Sequence, residues 1–173
     1  MIHNVITAVS HRLNIYIKNR LMINDDPVVV KNLVDLKGNV NDGIQNKIVV
    51  FLLSIEEDKT SKNKSVSKIT GNPSIILNVN IMFAAFFSND AYVESLRYLS
   101  LVMEFFQKNP MFHFSDTPGL HTSNSKLHVE IYNLNMPDTM RLWGAIGTKY
   151  LPSCAYKIKQ VKFDSQQINI DIP

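Results

Sequence analysis

The sequence predicts an α+β fold, close to α/β, in which a mixed β-sheet of about five strands is flanked by helices. Residues 75–87 alternate in polarity and every odd position is apolar, which is typical of a strand that lies against a core. Residues 47–55 form an almost unbroken apolar run, as expected for a central strand covered on both faces. Elsewhere the apolar residues recur at helical spacing, so helices must cover this sheet.

Length and composition favour one globular domain. The chain has 173 residues, and we assign residues 1–163 to the domain and 164–173 to a polar C-terminal tail. A net charge of +3 gives no reason to expect a nucleic-acid partner. The longest apolar run is shorter than the roughly 20 residues of a membrane helix, and no secretory signal is visible. We therefore expect no membrane insertion and synthesis in the cytoplasm.

The first half of the chain predicts a helix and three strands. Residues 2–22 have one apolar face and form the helix, and residues 28–33 are a short β-branched strand. Residues 35–46 are polar and rich in glycine and asparagine, so they form a loop. The strands at 46–57 and 74–87 are expected to pair as an antiparallel hairpin.

The segment 58–72 joins the two strands of this hairpin and has two possible interpretations. It contains four lysines among serine, threonine and asparagine, namely Lys59, Lys62, Lys64 and Lys68. One interpretation is a basic arm that contacts a partner, and the other is a solvated loop. The residues alone favour the solvated loop. The acidic run 56–58 before it is interpreted as a solvated strand end.

Residues 90–108 predict an amphipathic helix with an irregular polar side. We expect its core face to contain the apolar residues that recur at helical spacing, namely Val93, Leu96, Leu99, Val102, Met103 and Phe106. Leu101 and Phe105 then border the solvent stripe, where polar residues are expected. Because exposed apolar patches tend to mark interfaces, these two residues are candidates for a subunit contact.

The remaining segments alternate strand and helix. Strands are predicted at 110–114, 126–134 and 154–163, with a bulge at Gln160 where the apolar phase shifts. A helix is predicted at 137–149, and with the helix at 90–108 it is expected to form right-handed crossovers. Its Trp143 is interpreted first as a core residue and, as the alternative, as a third candidate for the subunit interface.

The sequence shows no motif of a catalytic, metal or cofactor site. Glycine-rich phosphate loops, GxSxG, HExxH and CxxC are absent. The five histidines have no carboxylate or cysteine partners at ligand spacing. The single cysteine, Cys154, lies in an apolar strand pattern and is interpreted as a buried structural thiol. We therefore expect a protein that is not an enzyme and binds no cofactor.

An ordered set of segments nevertheless resembles one family. The segments are MIHNVI, NLVDL, IVVFLLSIEED, LNVNIMFAAFFSN, ESLRYLSLVMEFFQKNPMF, TPGL, LHVEIYNL and MRLWGAIGTKYLPSCAYKIK. Together they are similar to the cap, or tail-terminator, proteins of phage-tail-like contractile injection systems of the antifeeding-prophage type. The resemblance covers roughly residues 1–163. Longer family members have a further C-terminal region, so this chain is expected to be a minimal version.

The resemblance implies a structural function in a bacterial particle. It implies a six-fold ring of this chain that ends the inner tube and the sheath, a fold like that of phage tail terminators, and no catalytic residues. The implied partners are other copies of the chain and the tube and sheath subunits, and the lysine-rich loop is the candidate sheath contact. The alternative is an assembly chaperone or adaptor for tube or baseplate subunits of the same particle. Assembly in the cytoplasm would precede an extracellular or membrane-anchored state of the particle.

Overall fold

A computed structural model describes residues 2–58, 75–113 and 126–163. Within these residues it contains six strands and three α-helices. In chain order they are α1 Ile2–Leu21, β1 Val28–Val30, β2 Lys47–Glu57, β3 Ile75–Phe86, α2 Tyr92–Lys108, β4 Met111–His113, β5 Lys126–Ile131, α3 Met136–Ile146 and β6 Ser153–Phe163. The α+β class is confirmed. The predicted tail at 164–173 and almost all of the loop at 58–72 lie outside the described residues and stay predictions.

The six strands form one mixed sheet. Their order is β1-β2-β3-β6-β5-β4. The pair β1–β2 is parallel, and the other pairs are antiparallel. The predicted hairpin of the two long strands is confirmed, since Lys47 to Glu57 pair in order with Phe86 to Leu77. The sheet has six strands where about five were expected, and the three-residue β4, within the segment predicted at 110–114, forms the edge beside β5.

The expected right-handed crossovers are wrong. Strands β5 and β6 are antiparallel neighbours, so α3 joins antiparallel strands. Strands β3 and β4 are also antiparallel, because three antiparallel pairings separate them in the sheet. The handedness rule applies to parallel strands. Among described strands that follow one another in the chain, only β1 and β2 are parallel, and residues 31–46 join them without a helix.

Two irregularities interrupt the central ladder. The register of β2 against β3 shifts between Leu52 and Ser54. The register of β3 against β6 shifts between Leu77 and Val79, opposite Gln160, which has a positive φ of 65°. The bulge predicted at Gln160 is therefore confirmed. Such bulges increase the local twist and bend of a sheet.

Each face of the sheet has its own apolar cluster. Helices α1 and α2 cover one face, and the buried core there includes Leu13, Ile17, Ile48, Ile81, Phe83, Val102, Phe106 and Ile158. Helix α3 and the segment 33–44 cover the opposite face, where the buried residues are Leu33, Ile44, Val49, Met82, Ala84, Trp143 and Ala155. The alternation along the strands supplies both clusters, because successive side chains point to opposite faces.

Asn14 attaches α1 to the outer edge of β1. Its side-chain oxygen accepts a hydrogen bond from the Val28 backbone N–H at 2.8 Å, and its side-chain nitrogen donates to the Val28 carbonyl oxygen at 2.9 Å. The amide thus uses both backbone groups that Val28 presents away from β2. An edge strand would otherwise offer these groups to another chain.

Candidate assembly surfaces

The three residues predicted to form a subunit interface are buried within the chain. Leu101 is 8% exposed and Phe105 is 4% exposed, and both belong to the core beneath α1 and α2. The ring of Phe105 contacts Tyr16 of α1, with centroids 5.3 Å apart. The expectation that Leu101 and Phe105 border solvent is therefore wrong, because α1 packs along the side of α2 that the sequence pattern left open.

Trp143 is a core residue, as the first interpretation of the sequence proposed. It is buried between α3 and the sheet, and its ring contacts Tyr150 edge-on with centroids 5.8 Å apart. The two ends of α3 define the helix that holds Trp143 against the sheet. The Asn135 side chain accepts a hydrogen bond from the Asp138 backbone N–H, and Gly147 ends the helix with φ 78°. All three candidates are therefore core residues of the single chain, and their part in a subunit contact stays a prediction.

The outer side of α2 exposes apolar residues that the sequence assigned to the core. Leu96 is 41% exposed and Met103 is 47% exposed, and Tyr92 and Val93 at the start of the helix are more exposed still. At 3.6 residues per turn, Leu96 and Met103 lie on one flank. The flank that contacts α1 contains Glu104 and Phe105 instead, and Glu104 lies 3.5 Å from Arg20 of α1. We call Tyr92, Leu96 and Met103 the α2 ridge.

A second exposed apolar cluster lies beside α3. Met136, Met140, Tyr150 and Ile131 are each about half exposed or more. Three of them, Ile131, Met136 and Tyr150, line a groove of about 250 Å³ that also reaches Cys154 and Ala155 of β6. We call these four residues the α3 corner. Methionine side chains are flexible and polarisable, so they adapt to differently shaped partners. The one signal of this corner in the sequence is the spacing of Met136 and Met140 at one helical turn, and that spacing alone does not predict it.

A polar network occupies the face of the sheet beyond α3. Asn80 of β3 is fully buried, and its side-chain nitrogen donates to Ser54 Oγ at 2.8 Å and to Glu56 Oε1 at 2.6 Å. Lys157 of β6 donates to Glu56 Oε2 at 2.9 Å and lies 5.0 Å from the centre of the Tyr132 ring. The Lys157 ammonium, and then the Asn80 amide, hold the pKa of Glu56 below its ordinary value of 4.5. Glu56 is thus a specific partner of β3 and β6 and not a free strand end.

The chemistry of the remaining polar residues is consistent with structural roles. Burial raises the pKa of Cys154 to about 12, so its thiol is protonated and a poor nucleophile near neutral pH. His3 and His11 are exposed on α1, as predicted. Within residues 2–58, 75–113 and 126–163 there is no group of three His, Cys, Asp or Glu side chains placed to hold a metal ion.

The lysines predicted to contact the sheath lie outside the described residues. Lys59, Lys62, Lys64 and Lys68 all fall between β2 and β3, so their role as a contact stays a prediction. The structure does describe the strand ends that lead to them, at Glu57 and Ile75.

No helix in the described part of the chain is both long enough and apolar enough to cross a membrane.

Comparison with known proteins confirms the resemblance to tail-terminator caps. The family described as the Pvc16 N-terminal domain matches residues 4–173. The cryo-EM structure of the anti-feeding prophage cap, described as the AFP tube terminating cap, has a TM-score of 0.59 and 16% identity over 93% of this chain and 54% of that chain. The PVC sheath/tube terminator of an extracellular contractile injection system, in the extended state, has a TM-score of 0.54 and 15% identity over 90% of this chain and 56% of that chain.

These structural matches establish a shared fold. At 16% and 15% identity, contacts made by those proteins do not follow for this chain from the shared fold. The chain spans slightly more than half the length of either solved structure. No curated protein matches the chain.

Proposed function

The chain belongs to the Pvc16 N-terminal domain family, and on this premise we propose that it is a structural cap that terminates the inner tube and sheath of a bacterial contractile injection system. The supporting observation is that its fold matches, over nearly its whole length, a protein described as a tube terminating cap. A sheath/tube terminator shares the same fold. We therefore propose tube and sheath subunits as its partners and the injection particle as its final location, after assembly in the cytoplasm.

A terminator needs two unlike faces. One face must match the last subunits of a growing polymer, and the other must accept no further subunits, because heterologous contacts that do not close propagate without limit. We propose that copies of this chain form a closed ring, six-fold by the family resemblance, that presents one face to the tube. The lysine-rich segment 59–68 is our proposed contact to an acidic surface of the sheath.

The proposed function is structural and not catalytic. The buried amide of Asn80 is held by a cross-strand contact, since its side-chain nitrogen donates to Glu56 Oε1. The thiol of Cys154 is held protonated by burial. The exposed apolar clusters of the α2 ridge and the α3 corner are surfaces suited to assembly, since contiguous exposed apolar area tends to mark a site of protein contact.

Deleting the gene tests the proposal. Without a terminator, tubes and sheaths should vary in length or contract early, while baseplates stay intact. The measurement is the distribution of particle lengths by electron microscopy, with the wild-type gene restored in trans as the control. Uniform, extended particles in the deletion strain would contradict the cap function. Particles that fail to start at the baseplate would instead support the role of an assembly chaperone or adaptor.

A further inference from the structure

The two exposed apolar clusters lie on opposite layers of the molecule. The α2 ridge of Tyr92, Leu96 and Met103 belongs to the helix layer on one face of the sheet. The α3 corner belongs to the layer on the other face. One copy therefore presents two different apolar surfaces that point away from each other. Because they lie on opposite faces of the sheet, they cannot contact each other within the same chain.

The two surfaces differ in shape in a complementary way. The ridge is the convex side of a regular 17-residue helix. The corner surrounds a concave groove of about 250 Å³, lined by Ile131, Met136 and Tyr150. Packing a ridge of helix side chains into a groove between side chains is the ordinary geometry of a helix contact. Met136 lines the groove, and its flexible side chain allows the groove to adjust to the side chains that enter it.

The charges around the two surfaces are also complementary. Asp90 lies in the turn just before α2, close in sequence to Tyr92 of the ridge. Arg141 and Lys149 lie exposed at the outer side and the end of α3, beside the corner. Arg141 is 3.3 Å from Asp138, and its side chain is 81% exposed, so it remains accessible to an acidic neighbour. Rim charges of opposite sign favour one register of docking over others.

From these observations we propose that the α2 ridge of one copy docks into the α3 corner of the next. The inference rests on the proposed cap function and names the surfaces that close its ring. The contact is heterologous, because two different patches meet, and each added copy leaves one free ridge and one free corner. Repetition then yields a ring when the rotation between copies closes.

Mixing two variants tests a heterologous contact directly. Leu96→Asp removes the ridge and Met136→Asp removes the corner, and both side chains are exposed, so the fold is retained, as circular dichroism will verify. Each variant alone should be monomeric. An equal mixture should form a dimer and stop there, because it joins the intact corner of one chain to the intact ridge of the other. The matched control is Leu36→Asp, an exposed leucine outside both clusters, which should associate like the wild type.

Cysteine pairs extend the test to weak association. The native Cys154 reaches the groove and is first replaced by serine, so that it cannot form a disulfide with an introduced thiol. In this background, chains with Leu96→Cys and chains with Met136→Cys should give a disulfide-linked dimer on oxidation when they are mixed, and neither should do so alone. Disulfide dimers of a single variant would show a symmetric contact and overturn the proposal. So would unchanged association of Leu96→Asp, or a wild type that stays monomeric to about 1 mM and gives no cross-link. If the deletion strain still shows irregular particles in that case, the cap function stands and the ring closes through other surfaces.

Discussion

At the scale of single residues, Asn80 fixes how the central strands pair. It is a buried amide that lies between two register shifts. Its side chain donates to Ser54 and Glu56 of β2, and Glu56 in turn accepts a hydrogen bond from Lys157 of β6. A slip of one residue would turn Asn80 to the opposite, apolar face. An unpaired buried amide costs about 1–3 kcal/mol. The alternation in the sequence places Asn80 on the mixed face, but its partners depend on the register of three strands, which the sequence pattern does not supply.

The Glu56–Lys157 pair predicts a pH-dependent stability. The pKa of Glu56 is lowered in the fold, so its contribution is present above the unfolded value near 4.5 and is lost as the pH falls through the lower folded value. Glu56→Gln should reduce the free energy of unfolding at pH 7 by about 0.5–1 kcal/mol, a small effect because the Glu56 side chain is 42% exposed. Urea unfolding of wild type and variant at pH 7 and at pH 3 measures this difference.

The difference between wild type and Glu56→Gln should shrink toward zero at pH 3. The control is Glu130→Gln, which removes another carboxylate from the same sheet, one that pairs with Lys159 at 2.6 Å. Because both members of that pair are substantially exposed, the control should change stability little at either pH. A Glu56→Gln effect that persists undiminished at pH 3 would show that the carboxylate charge is not its source.

At the scale of elements, α2 shows why a helix face is hard to assign from sequence. Leu99, Val102 and Phe106 point into the core as predicted. The buried face of α2 also includes Leu101 and Phe105, because α1 packs on that side of the helix. Leu96 and Met103, on the other side, are exposed. Both flanks are apolar in the sequence, so helical periodicity fits either arrangement. The position of α1 decides between them, and that is a tertiary fact.

A pair of leucines tests this assignment. Leu101→Ala should reduce the free energy of unfolding by about 2–4 kcal/mol, because it leaves a cavity in the core. Leu96→Ala is the matched change on the exposed flank and should cost less than about 0.5 kcal/mol. Urea unfolding followed by circular dichroism measures both. Equal losses for the two variants would contradict the buried and exposed faces described for α2.

At the scale of the whole molecule, the sequence predicts local structure better than the order of the strands in the sheet. The two long strands and the bulge at Gln160 depend on neighbouring residues, and the sequence predicts both. The insertion of β6 between β3 and β5 depends on contacts between distant segments. No periodicity encodes that order, so the crossovers predicted from element sequence alone were wrong. The α3 corner was missed for the same reason, since it combines β5, α3 and the segment before β6.

The lysine-rich segment makes a prediction about the assembled particle. Replacing Lys59, Lys62, Lys64 and Lys68 with glutamate should weaken the proposed sheath contact and broaden the distribution of particle lengths in low salt. The difference from wild type should shrink near 1 M salt, where charges interact over only about 3 Å. Electron microscopy of particles assembled at both salt concentrations measures it. Replacing the four lysines with arginine is the control, and lengths unaffected by glutamate in low salt would exclude this contact.

The amide of Asn14 has a consequence for how growth is limited. The Asn14 side chain makes the two hydrogen bonds to Val28 that the backbone of a further strand would make. Unlike a strand, it has no second row of backbone groups to which another strand could pair. A passing extended peptide therefore finds this position of the sheet already occupied. The protein is proposed to stop the growth of one polymer. By blocking this position of the edge strand, Asn14 also opposes a second kind of growth, in which strands of many copies pair without limit and form fibrils.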